Sequence, residues 1–340
     1  MAKACVVVPT KDEEASIAGV IAEIRRGFVG TRYNRVAIIV VDDSTDGTRR
    51  IARACGATVL PGDGDGLGSA MLKGLHAAAT LEPDVILSID GDGQADPASE
   101  IPRFLRPIEA DEADLVVGSR FAAPNLVGYR YHWLRRLGTR VLCAMIRAQT
   151  GLRLTDSHGG LRAMRPEVAA SLELLGTHTY VQETIIDAVA KGFRVVEVPS
   201  VWRPRQAGTS RVVASIPRYV FYTLPVLLLR WGQHIRWLYT LGLLAILAAL
   251  ALFGEVFISE GLTFRLAHRT PALLLVALLV ITGVELFFFG FVLQLLKQIK
   301  KGVDRRPARL EAEPAVWLDV EPAWRPAAVA QYVDERKRTA

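Results

Sequence analysis

Short continuous apolar runs alternate along the first two thirds of the chain with longer stretches where apolar residues recur every three or four positions. Residues 4–8 (ACVVV), 36–41 (VAIIVV), 58–60, 85–89 (VILSI), 115–118 (LVVG) and 195–199 have the unbroken apolar character of strands buried on both faces. Residues 14–28 place Ile17, Val20, Ile21, Ile24 and Phe28 at helical spacing, and residues 46–55, 69–79, 133–150, 168–175 and 184–191 also read as helices. Strands alternating with helices predict an α/β domain with a mostly parallel sheet. In such a sheet the loops that follow the strand C-termini build the site. No internal repeat interrupts the pattern.

After residue 215 the character changes. Residues 216–236 mix Val220, Phe221, Leu224 and Leu227 with Arg218 and Arg230, as a helix lying at a membrane interface does. Residues 237–258 form an apolar run with one charge, Glu255, and residues 271–296 form a second with one charge, Glu285. Both approach the length that crosses a bilayer; a buried core hairpin is the alternative. The predicted organisation is therefore a soluble domain (1–215), interfacial helices (216–236), two transmembrane helices (237–258 and 271–296) and a tail (297–340). Glu285 lies near mid-span, so it is expected to face another helix, in a homo-oligomer for instance, instead of lipid. The tail is rich in Pro, Ala and charge and is expected to hold little fixed structure. Arginines and lysines flank the two runs on their outer sides, from Arg218 to Arg236 and from Lys297 to Arg309. That bias predicts an integral membrane protein with two spans, its catalytic domain and both termini in the cytosol.

Composition fits this division. The 340 residues are 51% hydrophobic with a net charge of +6. The basic excess lies close to the apolar segments. It suits an anionic membrane surface or a phosphorylated substrate better than nucleic acid. Cys5, Cys55 and Cys143 are far apart and form neither a metal pattern nor a disulfide framework. The apolar run after Lys3 ends at Pro9, too short for a secretory signal, which agrees with a cytosolic domain.

The sharpest chemical signal is Asp90-Gly91-Asp92-Gly93-Gln94, directly after a predicted strand. Two carboxylates spaced by a glycine at a strand end can hold Mg²⁺ or Mn²⁺ against a diphosphate, with Gln94 as a neutral oxygen ligand. Taken alone the same residues also make an ordinary acidic turn. Asp42-Asp43-Ser44 and Thr10-Lys11-Asp12-Glu13 follow two other strands, so polar groups gather at three strand ends. Asp46 reads as a helix cap. The glycines at 62, 64, 66 and 68 suggest a mobile loop near the bound nucleotide, without the lysine of a P-loop. Arg120, Arg203, Arg205 and Arg211 are candidates for phosphate, which arginine binds with paired donors; a solvated basic surface is the alternative for Arg203 and Arg211.

These motifs, in this order, resemble the dolichol-phosphate mannose synthases and related polyprenyl-phosphate glycosyltransferases of glycosyltransferase family two. The resemblance covers residues 4–215 and rests on PTKDE (9–13), VVDDSTDGT (40–48), GLGSAMLKG (66–74), DGDGQ (90–94), VGSRF (117–121), DSHGGLRAMR (156–165), QE (182–183) and EVPSVWRPRQAGTSR (197–211). It implies a Rossmann-like GT-A domain. It also implies inverting transfer of a hexose from a nucleotide sugar, GDP-mannose by preference and UDP-glucose as the alternative, to dolichyl or polyprenyl phosphate at the bilayer. A catalytically silent membrane scaffold is the rival of another class. The resemblance places donor-binding positions at Pro9, Glu13, Val41, Asp43, Asp90, Gly91, Asp92, Arg120 and Arg205. It places a divalent metal at Asp90, Asp92 and Gln94, and catalytic roles at Asp92, Arg120 and Arg205. Two departures stand out. Lys11 and Asp12 replace an aromatic residue and Asn, and His158-Gly159-Gly160-Leu161-Arg162 replaces S-G-F-R.

Overall fold

The structure is a computed structural model that describes residues 1–129, 131–174, 176, 180–205, 223, 226, 227, 230, 234–260, 269–303 and 315–320. The chain divides into two compact units, Met1–Val226 with Leu310–Ala340, and Leu227–Arg309. Most of the interfacial segment expected over 216–236, Arg211 and most of the tail lie outside the described residues.

The first unit is built on one mixed sheet. Its strands are β1 (Ala2–Thr10), β2 (Tyr33–Asp42), β3 (Thr58–Pro61), β4 (Val85–Ser88), β5 (Leu115–Ser119), β6 (Arg162–Met164), β7 (Val195–Pro199) and β8 (Trp317–Asp319). The order across the sheet is β3-β2-β1-β4-β6-β5-β7, with β8 also on β2. β1, β2, β3 and β4 run parallel, as do β5 and β7, while β6 lies antiparallel between β4 and β5. Continuous apolar strands are buried on both faces here: Val6, Val8, Ile38, Val40, Leu87 and Val116 are fully buried.

Helices cover the sheet. They are α1 (Ile17–Phe28), α2 (Thr48–Ala54), α3 (Leu67–Ala79), α4 (Pro97–Glu109), α5 (Trp133–Thr150), α6 (Pro166–Ser171) and α7 (Val181–Ala190). In α1 the predicted face, Ile17, Val20, Ile21, Ile24 and Phe28, is buried. Gly27 lets α1 approach α4, since a Cβ there would stand 2.4 Å from the Pro97 carbonyl oxygen.

Helix α4 has no counterpart among the sequence-based elements. Pro97 opens it, and Pro102 and Pro107 lie inside it, which masks a strong amphipathic face. The tail is a second difference. Residues 315–320 are ordered against the domain because β8 pairs with β2, where Trp317 opposes Ala37.

The chain runs β1 to β2 to β3 toward one edge, then crosses back to place β4 on the other side of β1. That reversal opens a crevice beyond the carboxyl ends of β1 and β4, where open α/β sheets bind ligands. The loops Lys11–Glu13 and Asp90–Gln94 leave the sheet at this point.

The second unit contains α8 (His234–Glu260) and α9 (Thr270–Val303). Arg236–Ser259 and Thr270–Leu295 are long and apolar enough to cross a membrane, with mean hydropathies of 2.5 and 2.6. The two helices touch through small residues. A Cβ on Gly283 would stand 2.9 Å from the Gly242 carbonyl oxygen, and Gly290 faces the Tyr239 ring. The Tyr239 hydroxyl donates to Gln294 Oε1 at 3.3 Å. Glu285 is exposed, so its carboxylate is not sheltered between these two helices.

Candidate active site

The first loop is fastened to the second by backbone and short side chains. Asp12 adopts a left-handed conformation (φ 50°), which short polar residues tolerate better than others. Its amide donates to Ser44 Oγ at 2.7 Å and its Oδ1 accepts the Thr45 amide at 2.8 Å. Asp12 thus serves the turn at a position where the sequence departs from the usual Asn. The Glu13 amide donates to Thr48 Oγ1 at 2.9 Å. This lacing leaves the Glu13 carboxylate beside Arg205, with Nη1 to Oε1 at 3.4 Å.

The acidic loop after β4 is shaped by glycines. A Cβ on Gly91 would stand 2.7 Å from Thr10 Cγ2, and the Gly91 carbonyl accepts Ser16 Oγ at 2.7 Å. A Cβ on Gly160 would stand 2.0 Å from Asp90 Oδ2, so only glycine there leaves room for the Asp90 carboxylate. Asp92 Oδ1 accepts the Gln94 amide at 3.0 Å, and its Oδ2 lies 2.9 Å from Arg205 Nη2. The Gln94 side-chain amide donates to the Arg203 carbonyl at 3.2 Å, while the Arg203 amide donates to the Gln94 carbonyl at 2.7 Å. The acidic loop and the 202–205 segment are therefore one stitched element. It brings Glu13, Asp92 and Arg205 together.

Burial and the neighbouring Asp92 carboxylate push the Asp90 carboxyl well above its ordinary range, against the opposing pull of Arg162 and Arg205. Tyr180 stands 3.4 Å from Asp90 Oδ1 and 3.2 Å from the Gly160 carbonyl oxygen, where its hydroxyl can donate to either. Among the described residues no three His, Cys, Asp or Glu side chains cluster as a self-sufficient metal cage. A cation that bridges to phosphate oxygens needs only one or two protein carboxylates. Asp90 and Asp92 fit such a hard cation: both offer oxygen, and their mutual repulsion is relieved by positive charge.

Other expected residues are placed differently. Pro9 and Val41 are buried register partners at the ends of β1 and β2, where they anchor the strand ends from which the loops depart. Asp43 is half-buried; its Oδ1 accepts the Gly64 amide at 3.0 Å, and a Cβ on Gly62 would strike its carboxylate at 2.1 Å. The glycine stretch is thus held under Asp43. Arg203, expected at an acceptor phosphate, has its η nitrogens in ion pairs with Glu23 at 2.9 Å and Asp96 at 2.7 Å. Arg120, expected at both phosphates, is buried in a two-point pair with Asp156, at 2.6 and 2.9 Å. Phe121, Tyr131 and Trp202 surround its guanidinium at 5.4, 5.3 and 5.0 Å. Asp156 is held below the usual carboxylate range by Arg120 despite its burial.

Three residues of the site have no role assigned to them by the sequence. Arg162 is fully buried, with Nε on the Gly159 carbonyl at 3.2 Å and Nη2 on the Val181 carbonyl at 2.6 Å. It lies over the Tyr180 ring at 5.2 Å and supplies positive charge near Asp90. Tyr180 and Asp156 complete the set. Asp156 and Arg162 share the 156–165 motif, but their partners Arg120 and Val181 lie outside it, so spacing alone discloses neither pairing. His158 is a structural neighbour: burial, followed by Arg120, lowers it to about 4, and its Nδ1 lies 2.9 Å from Ser157 Oγ.

Comparison with known proteins adds to this geometry. Residues 5–172 match the family described as glycosyl transferase family 2. The chain is 32% identical over 212 residues to an uncharacterized glycosyltransferase of Mycobacterium tuberculosis, covering 62% of this chain and 90% of the relative. It is 32% identical over 206 residues to a dolichyl-phosphate hexose transferase of Haloferax volcanii, covering 60% and 84%. It is 28% identical over 243 residues to a polyprenol monophosphomannose synthase of Mycolicibacterium smegmatis, covering 67% and 86%. Among solved structures, glucosyl-3-phosphoglycerate synthase from Mycobacterium tuberculosis, in complex with Mn²⁺, UDP and glucosyl-3-phosphoglycerate, superposes with a TM-score of 0.53. It is 25% identical and covers 68% of this chain and 80% of that one. The Rossmann-like GT-A architecture, with its mostly parallel mixed sheet, is therefore shared, and in this chain two apolar helices follow it.

Proposed function

The chain belongs to glycosyl transferase family 2, and from that premise we propose that it transfers a hexose from a nucleotide sugar to a polyprenyl phosphate at a membrane surface. The observation that carries the reading is the assembly of Asp90, Asp92 and Arg205 at the reversal point of the sheet, with Glu13 beside them. Relatives named for dolichyl-phosphate and polyprenol substrates support the acceptor class.

The acceptor phosphate oxygen is already anionic near neutral pH, so no general base is required. That oxygen forms the new bond to the anomeric carbon as the bond to the nucleoside diphosphate breaks. Direct in-line attack inverts the anomeric configuration. A divalent cation, Mg²⁺ or Mn²⁺, bound by Asp90 and Asp92 within reach of Gln94, would neutralise charge on the departing diphosphate. Arg205 lies between Asp92 and Glu13, where its guanidinium can present paired donors to a phosphate. Asp43 and the strand ends at Pro9 and Val41 shape the nucleotide side. Arg120 has a positioning role: paired with Asp156, it props Trp202 and the segment that carries Arg205.

The surface of the domain supports a membrane setting. Helix α5 exposes Trp133 (67%), Leu134 (43%), Leu137 (50%) and Val141 (52%), while Thr139, Cys143 and Ile146 face inward. Arg135, Arg136, Arg140 and Arg147 share this helix, and no Asp or Glu lies between Asp114 and Asp156. An outward apolar stripe beside arginines suits an anionic bilayer surface. Helices α8 and α9 would then hold the domain there, with the domain on the cytosolic side. The exposed Glu285 leaves a homo-oligomer as the natural shelter for a mid-span carboxylate.

GDP-mannose is the preferred donor, on the mannose-synthase-like motifs and the named relative. UDP-glucose is the second reading, favoured by the UDP bound in the solved structural neighbour. A panel of nucleotide sugars offered to the full-length protein with polyprenyl phosphate, Mg²⁺ and Mn²⁺ tests this. Lipid-linked mannose is the expected product. Absence of any lipid-linked sugar across the panel overturns the proposal.

A further inference from the structure

The tail contains a short cassette that its surroundings do not resemble. Residues 315–320 (AVWLDV) lie between Pro314 and Pro322 in a stretch otherwise dominated by charge, Pro and Ala. Proline cannot extend a ladder, so the two prolines confine an extended segment to these few residues.

The sheet offers a matching seat. β3 is short and pairs only with Ile39–Asp42 of β2, which leaves the first half of that edge without a neighbour. β8 fills it: Arg35 opposes Asp319, Val36 opposes Leu318 and Ala37 opposes Trp317. The pairing extends past the strand. The Val320 amide donates to the Asn34 carbonyl at 2.9 Å, and the Val316 amide donates to Thr58 Oγ1 at 3.1 Å. Side chains add specificity. Trp317 receives Lys3 and Arg35 over its ring at 5.4 and 5.7 Å. Leu318 lies over Gly56, where a Cβ would stand 3.4 Å from it, and Val320 packs on the core.

We propose that this edge of β2 is a strand-addition seat for the chain's own residues 315–320, and that its occupation ties the glycosyltransferase domain to the apolar helix pair a second time. The domain already continues into α8 through residues 206–233. From the end of α9 at Val303 to Trp317 there are only residues 304–316, a tether that spans at most about 45 Å when extended. Two tethers narrow the volume the domain explores and raise the effective concentration of its crevice at the bilayer. This consequence rests on the membrane reading above; the seat itself does not.

The test uses the full-length protein in phosphatidylethanolamine and phosphatidylglycerol vesicles carrying polyprenyl phosphate. Ala37→Cys with Trp317→Cys places thiols at opposed positions, and the native Cys5, Cys55 and Cys143 are all buried. Oxidation is expected to give a cross-link within one chain. No cross-link, or one that joins two chains, overturns the assignment of this seat to the chain's own tail. Leu318→Asp is expected to expose the tail to protease at about one tenth of the wild-type dose. It should slow transfer to vesicle-borne acceptor roughly 3–10-fold, as lost effective concentration does, while leaving nucleotide-sugar binding and transfer to a short-chain acceptor in detergent unchanged. Unchanged protease protection overturns the seat, and unchanged vesicle transfer overturns the second tether. If the wild type glycosylates no polyprenyl phosphate in either setting, the functional reading fails while the cross-link still reports on the seat.

Discussion

Two strands of the same sheet, β2 and β4, end in closely spaced carboxylates, and the two loops use them in opposite ways. At β2, Asp42 is almost fully buried and saturated. It accepts Thr10 Oγ1 at 2.8 Å, Ser44 Oγ at 2.6 Å and Arg49 Nε at 3.2 Å. At β4, the Asp90 carboxyl is crowded by burial and by Asp92, with the Tyr180 hydroxyl 3.4 Å away. One carboxylate fastens a loop, and the other is held in an arrangement that positive charge relieves. The residue type at a strand end does not decide between these roles. The number and closeness of donors around it does.

The most severe way to break this contrast is Asp92→Ala. It removes one of two oxygen donors proposed for the cation and the partner of Arg205. Transfer should fall about 1,000-fold or more, in line with the several kcal/mol a metal contributes to transition-state charge. The melting temperature should stay close to wild type, because Asp92 holds no core together. Chelation of the wild type with EDTA should reproduce the loss, and Mn²⁺ or Mg²⁺ should restore activity. Full turnover in excess chelator would remove the cation from the mechanism.

Arg205 gives the next largest effect. Its Ala variant should slow transfer about 100-fold, typical for loss of a charge-assisted donor pair at a phosphate. Lys should recover only part of this, since a single ammonium cannot reproduce the fork. The measurement is kcat and KM for both substrates, with nucleotide-sugar binding as the control for folding. Wild-type kinetics for Arg205→Ala would move phosphate recognition to another group.

Much of this contrast was legible in the sequence, and the limits have physical causes. Strand ends, the β1, β2 and β4 loops and the long apolar helices follow from periodicity, which already places Asp90, Asp92, Glu13 and Asp43 above the sheet. Helix α4 was not found because Pro102 and Pro107 interrupt its pattern, although Asp96 accepts the Ser99 amide as a cap. β6 was missed because three residues, Arg162–Met164, are too few to show a period, and its first residue is a buried arginine. The fates of Arg120 and Arg203 were invisible for another reason. Their partners, Asp156, Glu23 and Asp96, are near only after folding, and a guanidinium read from sequence does not disclose which acid it will meet. The same holds for β8, whose segment 315–320 matters only because β3 leaves half an edge open.

The smallest effects come from the β2 loop itself, and they separate fastening from binding within two adjacent residues. Asp42→Asn keeps the size of the side chain but removes its charge and one accepting oxygen, so at least one of its three donors loses its partner. Leaving a buried donor short costs about 1–3 kcal/mol. Thr10 and Ser44 both donate to Oδ1 and Arg49 donates to Oδ2, so whichever way the amide turns, its NH2 group faces either the two hydroxyls or the Arg49 guanidinium. Asp42→Asn should therefore lower thermal stability measurably while nucleotide-sugar affinity changes only as far as the loop loosens. Asp43→Asn should do the reverse. Its carboxylate is half-buried and holds only the Gly64 amide among the described hydrogen bonds, which an Asn oxygen can also accept. The melting temperature should hardly move. The dissociation constant for the nucleotide sugar, measured by calorimetry, should rise about 10-fold, since a hydrogen bond from a ligand hydroxyl to a charged acceptor is worth roughly 1.5–3 kcal/mol and the amide keeps part of it. If Asp42→Asn weakens the donor more than Asp43→Asn at equal stability, the assignment of the two residues is inverted, and the β2 loop belongs with the β4 loop as a binding element.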